Sequence, residues 1–290
     1  FARSFKREPK RWGELMTMDH VHMRDWFGEP GIDNHPDCLN VYDIGTHSKY
    51  CVPVTSHEAF ETYVALNGIK GRNKIQQIYS DNHTSLEKAT HQVGANHEGS
   101  QPGHPKTNAI IERCNQDILI GTKVLLVAAG LPSCFWVYAG PAYCFYENLT
   151  QDQDGASPWN ERHNEEFKGE VIPFGCGVFF LPVSSKYRNS KTAPSMSYGI
   201  FLGYRMAPGG KWSGEYLVAD IYDFVDMPLD VYASEKKCLV KPHMTEQVRL
   251  GKRGVCFPLK PKYDRVNLTL EGQEGISTLY DAFGVPSTDP

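Results

Sequence analysis

Residues 124–146 carry no charged side chain in 23 consecutive positions. A run of that length could cross a bilayer as one helix, but Gly130, Leu131-Pro132, Gly140 and Pro141 interrupt it. A glycine with a proline just beyond it is a helix stop. The run therefore reads as the end of one helix, a tight turn, and a second helix over about 133–148, both buried in a protein core. No membrane span is expected. The first helix extends back to about residue 104, through HPKTNAIIERCNQDILIGTKVLLVAAG. Pro105 suits its first turn, where a missing N–H costs nothing. Ile110, Ile111, Cys114, Ile118, Leu125 and Val127 give it an apolar face. Asn108, Glu112 and Gln116 are four apart and share another face. Taken alone, a polar stripe of this kind is usually a solvated surface.

Two buried helices need a core to sit in. With 290 residues, 40% hydrophobic and 22% charged, the chain has material for one large or two modest domains. Its net charge of −4 does not announce a nucleic-acid binder. The distribution is more suggestive: Arg3, Lys6, Arg7, Lys10 and Arg11 crowd the first residues, and basic groups recur at Lys70/Arg72/Lys74, Lys186/Arg188/Lys191 and Arg249/Lys252/Arg253. Such runs are usually solvated, though they suit an arm lying along phosphates. The eight cysteines are scattered with no C-x-x-C pair, which argues for a reducing compartment and against a disulfide framework. His91, His97 and Cys114 start a zinc-type pattern, but Asp117 stands where its last cysteine would be. No apolar core follows the basic N-terminus, so no secretory signal is expected. Without an initiator Met, the chain is expected to be a piece of something longer.

In chain order, ELMTMDHVHM at 14–23 alternates: Leu15, Thr17, Asp19, Val21 and Met23 share one face of a strand, and Met16, Met18, His20 and His22 the other. Asp19 in the middle of a half-buried strand is costly unless something positive meets it. Strands follow at 38–43 and 50–54, joined by a turn with Gly45. Thr55-Ser56-His57-Glu58 looks like a capping box opening a helix that Gly68 ends. The next strand, 74–80, finishes at Asp81. Ser85 caps a short helix, and a Gly/His/Ser-rich loop at 94–103 leads to the Glu112 helix. Asp25, Asp33, Asp37 and Asp43 read as loop and strand-edge acids, and His83 as packing or surface.

This order of elements, with TMDHV around Asp19, IYSDNHTSLEKA around Asp81 and GHPKTNAIIERCNQDIL around Glu112, resembles the catalytic core of retroviral and LTR-retrotransposon integrases. The downstream segments AGLPSCFW, FGCGVFFLP and GIFLGYR resemble those of the copia type, in the family's order. The resemblance covers about residues 1–245. It implies an α/β, ribonuclease H-like fold: a mixed five-stranded sheet flanked by helices, followed by a small β-rich domain. The spacing from Asp81 to Glu112 is a little shorter than usual, Ala109 replaces the family's common glycine, and the N-terminal zinc module is absent. The implied division is a basic linker at 1–12, the core at 13–149, a linker at 150–168, a small β-rich module at 169–248, and an irregular tail at 249–290.

The resemblance also implies a site. Asp19, Asp81 and Glu112 would be both the catalytic residues and the ligands of two Mg²⁺ (or Mn²⁺) ions, with Asp19 bridging the pair, Asp81 holding one and Glu112 the other. Two hard cations can stabilise the attacking and leaving oxygens of an in-line phosphodiester exchange. Converging acids repel, so one of them should hold its proton more tightly than usual without metal. His104, Lys106, Asn108, Arg113 and Gln116 are the expected DNA contacts. The implied function is DNA integration, by 3′-end processing and strand transfer on element ends and target DNA. The expected assembly is a homo-oligomer acting in the nucleus and made in the cytoplasm as part of a polyprotein. The alternative is a degenerate or repurposed nucleic-acid- or protein-binding module with the same fold.

Overall fold

The alternation at the start of the chain becomes the middle strand of a sheet. In the computed structural model, which describes residues 9–25, 27–99, 108–151, 155–182, 192 and 194–269, β1 (Met16–His22) lies between β2 (Asp37–Asp43) and β4 (Gln77–Ser80). With β3 (Lys49–Val54) and β5 (Asn96–Gly99) the sheet order is β3-β2-β1-β4-β5. The first three strands are antiparallel, and β4 and β5 run parallel to β1. That is the ribonuclease H-like arrangement. The edge strand β5 falls inside the segment read from sequence as a Gly/His/Ser-rich loop. Its residues Asn96-His97-Glu98-Gly99 carry no strand pattern, and pairing with β4 imposes the conformation.

Each face of β1 meets a different layer. Met16 and Met18 sink into one core with Leu39, Val41, Leu66, Ile69, Ile78 and Leu86. That core is covered by α1 (Ala59–Lys70) and α2 (Thr84–Gln92). Val21 and Met23 face the other core, with Ile111, Cys114 and Ile118 of the first long helix and Phe135 of the turn that follows it. The capping box does not form: Glu58 is the N-cap of α1 without a side-chain bond. Nor does Gly68 end the helix. A Cβ at Gly68 would meet nothing, whereas Gly71 sits at φ 56° and donates its N–H to the Asn67 carbonyl. The residue that must leave the helical region is the one that terminates it. Likewise the cap of α2 is His83, whose ring accepts from the Ser85 amide, and not Ser85 itself.

α3 (Ala109–Ala129) and α4 (Trp136–Leu149) are the expected pair. Gly130 stops α3 in the left-handed conformation (φ 72°), with Gly130 N–H bonded to Val127 O and Leu131 N–H to Leu126 O. The residues 104–107, read as its first turn, lie outside the described residues. Its buried stripe is Ile111, Cys114, Asn115, Ile118, Thr122 and Leu126, while Ile110 and Val127, expected inside, are 43% and 45% exposed. The two helices bend by 119° at the turn, and no single helix among the described residues is long and apolar enough to cross a membrane. Lys49 of β3 holds the pair in place. Its ammonium donates to Asp117 of α3 and Glu147 of α4, and Asn148 bonds both its backbone N–H and C=O.

Beyond α4, the stretch read as a linker contains α5 (Pro158–His163), capped by Ser157. Trp159 is buried among Phe145, Phe167 and Tyr204, and the Arg162 guanidinium lies 4.1 Å from the Trp12 ring centroid. An aromatic and a cation in a polar sequence gave no periodic signal, yet together they fasten the segment to the core. A second antiparallel sheet follows, in the order β10-β6-β7-β8-β9. Its strands are β6 (Gly177–Phe180), β7 (Ser197–Ala207), β8 (Lys211–Asp220), β9 (His243–Thr245) and β10 (Val248–Leu250). Ile200, Leu202 and Ala219 share a core with α3 and α4. From the tail, α6 (Lys260–Asn267) adds Tyr263 to that core.

Candidate active site

Asp19 and Asp81 are brought level by strand register. β1 and β4 pair in parallel with Met16 opposite Ile78 and Thr17 opposite Tyr79. Carried two residues further, the same offset would bring Asp81, the residue just beyond β4, level with Asp19. Alternation then points both carboxylates to the face covered by α3. Glu112 lies in the first turn of α3. Three positions on, and therefore on the same side of the helix, Asn115 donates its side-chain N–H to Asp19 Oδ2 at 2.9 Å. Asn115 in turn accepts from Asn40 Nδ2 at 2.9 Å. Asn40 is opposite Asp19 in the β1–β2 register and fully buried. Asn115 thus holds the aspartate directly, and Asn40 holds Asn115.

The expected protonation shift falls on Asp19. Its carboxyl is raised above the usual aspartate value, first by burial, then by the charge of Asp81 and to a smaller extent that of Glu112; the Asn115 hydrogen bond opposes this. The adjacent His20 offers no compensation: burial and neighbouring histidines push it down to about 4, so it is neutral. An acid held this way favours a cation as its partner. Asp19 is raised by the charges of Asp81 and Glu112, yet among the described residues the three do not form one tight set of ligand atoms. Three like charges have no reason to close further by themselves.

Around this centre, Arg113 and Gln116 are exposed on α3. Asn108 precedes the helix as its N-cap, and its Oδ1 is buried with no hydrogen-bond partner. His104 and Lys106 lie outside the described residues. His83, taken as surface, caps α2 two residues after Asp81, whose Oδ1 accepts its backbone N–H at 3.4 Å. Asn115 and Asn40 were not singled out from sequence. The signal for Asn115 was available in its spacing from Glu112; nothing local marks Asn40. Two acids read as strand-edge residues are also more than that. Asp43 is fully buried and accepts from the Gly13 and Thr46 amides. Asp37 is buried between His22 and His57.

The chain is 28% identical over 230 residues to the retrovirus-related Pol polyprotein from transposon TNT 1-94 of Nicotiana tabacum. The chain is a relative of that Pol polyprotein. The match covers 76% of this chain, which spans only 16% of the polyprotein's length. Among solved structures, a similar chain comes from the simian T-cell lymphotropic virus intasome in complex with PP2A regulatory subunit B56 gamma. It has 14% identity, a TM-score of 0.45, and coverage of 88% of this chain and 83% of that one. At that level the likeness adds nothing to the strand order. No protein-family model matches the chain.

Proposed function

We propose that this chain is the integrase segment of a copia-type retroelement Pol polyprotein, a polynucleotidyl transferase acting through Asp19, Asp81 and Glu112. The observation that supports this is the parallel register of β1 against β4, which, continued two residues beyond its last pair, would bring Asp81 level with Asp19 on the side of the helix bearing Glu112. The donor set fits Mg²⁺ or Mn²⁺: three hard carboxylates, with Asp19 raised by burial and by the other two acids, and no thiol or imidazole among them. Two such ions, when bound, would supply Lewis-acid stabilisation of the oxygens entering and leaving the phosphorus.

The rest is the work of the chain itself. Asn115 and Asn40 hold the Asp19 carboxylate in one rotamer, so a single group can face both other acids. Asp81 ends its strand with a hydrogen bond to the His83 amide, which limits its swing. Arg113 and Gln116, exposed one turn apart on α3, would lie along the sugar-phosphate backbone; Asn108 Oδ1, which lacks a donor, would accept from a base amino group. His104 and Lys106 would add contacts ahead of the helix. DNA ends and target DNA are the proposed substrates, a homo-oligomer the proposed assembly, and the nucleus the proposed place of action. The core at 13–149 would carry the chemistry, and the β-rich part at 169–248 would contact DNA or a second copy.

A second reading is a binding module that has kept the fold without turnover. That the three carboxylates do not form one tight set of ligand atoms among the described residues favours it. A strand-transfer assay on oligonucleotide ends with Mg²⁺ or Mn²⁺ separates the two. Joined product that depends on the metal and disappears in Asp81→Asn supports the transferase. A folded wild-type chain that joins nothing, yet retains DNA, supports the module.

A further inference from the structure

The face of β1 turned away from Asp19 carries a different set of ligands. His22 ends β1 and is paired directly with Asp37, the first residue of β2. His57 comes from the turn that leads into α1. Its ring stacks on His22 with centroids 4.8 Å apart and on His20 with centroids 4.4 Å apart. One ligand atom from each of His22, Asp37 and His57 lies within 4.8 Å of the other two, the one such group among the described residues. His22 Nδ1 is 2.6 Å from Asp37 Oδ1, and His57 Nε2 is 3.2 Å from Asp37 Oδ2.

The His57 contact is close but is not a hydrogen bond. Its Nε2 is buried and has no hydrogen-bond partner, although a carboxylate oxygen stands beside it. A buried ring nitrogen left this way is costly, and three elements that each bring a ligand to one point ask what joins them. We propose that His22, Asp37 and His57 form a second metal site, for a zinc-class divalent ion. Two imidazoles and one carboxylate are a donor set that Zn²⁺ accepts and Mg²⁺ does not prefer. Tetrahedral coordination at about 2.0–2.1 Å separates ligand atoms by roughly 3.3 Å; the His57–Asp37 spacing of 3.2 Å matches this, and an ion would replace the 2.6 Å hydrogen bond between His22 and Asp37. The exposed His22 leaves the fourth position open to water. His20 acts behind the ligands, its Nε2 3.1 Å from the Thr62 hydroxyl and its face against His57, which fixes that ring. The ion would pin the ends of β1 and β2 to the start of α1, across the sheet from the carboxylates.

Co²⁺ reports such a site through its visible absorption. The full chain is titrated with Co²⁺, and then Zn²⁺, in excess Mg²⁺, which occupies carboxylate sites and leaves imidazole sites free. A Cys256→Ser background removes the exposed thiol. The expected result is one equivalent of tetrahedral Co²⁺ without sulfur-to-metal charge transfer, displaced by Zn²⁺, with a rise of several degrees in the unfolding midpoint. His22→Gln should weaken binding at least tenfold; because His22 is exposed, that variant keeps its fold. His57→Gln should abolish binding, and Asp19→Asn should leave it unchanged. Failure to bind Co²⁺ at millimolar concentration, or an equivalent that survives His22→Gln, overturns the site and leaves the transferase reading untouched.

Discussion

Replacing Asn115 by alanine should cost about 3 kcal/mol of folding stability. The change removes two hydrogen bonds of 2.9 Å, one to Asp19 and one from Asn40. Asn40 is fully buried, so its amide N–H is left without a partner at a cost of about 1–3 kcal/mol. Asp19 is only partly buried, so the lost bond to its carboxylate counts near the low end for a charged acceptor, about 1.5 kcal/mol. The measurement is urea unfolding of wild type, Asn115→Ala, Asn40→Ala and the double variant, in the absence of divalent ions. The double variant should be less unstable than the sum of the singles by about 1–2 kcal/mol, because the stranded partner is gone. A single-variant loss under about 1 kcal/mol, or strict additivity, would show that the two asparagines do not hold Asp19 as described.

Asp19→Asn should stabilise the metal-free chain at neutral pH. The folded-state carboxyl is raised, so its stabilising contribution is full below the unfolded value of about 3.9 and is lost as pH rises through the folded value. The gap between variant and wild type in chelator should therefore close on acidification below about pH 4; a gap that widens there contradicts the assignment. Gly71→Ala should cost more than about 2 kcal/mol, since its φ is 56° and a Cβ would stand 2.5 Å from Gly209 backbone atoms. Gly68→Ala, with nothing within 4 Å, should instead gain about 0.5–1 kcal/mol by thermal unfolding. Lys49→Met should lose about 1–2 kcal/mol by leaving Asp117 and Glu147 without their shared cation, and less in high salt.

Much of the fold could be read from local signals. The alternation of β1, the Gly130 stop and the two-helix reading of the uncharged run all depend on near neighbours in sequence, and the structure keeps them. What could not be read depends on distant partners. β5 is a strand because β4 is beside it, and α5 is anchored because Trp159 meets Phe145. Gly68 and Gly71 look alike in sequence; only the backbone angle of Gly71 separates them. At the candidate site, the resemblance of the motifs around them singled out Asp19, Asp81 and Glu112. Asn40, which holds Asn115 from another strand, and Asp37, buried between two histidines, have no such mark because their roles exist only after the sheet has formed.

The most direct test of the acidic centre is to locate Mn²⁺ in crystals of the chain by anomalous scattering. Mn²⁺ peaks bounded by the carboxylates of Asp19, Asp81 and Glu112, drawn together around them and lost in Asp19→Asn, are expected. Well-ordered crystals saturated with Mn²⁺ in which those three carboxylates hold no ion would contradict the assignment.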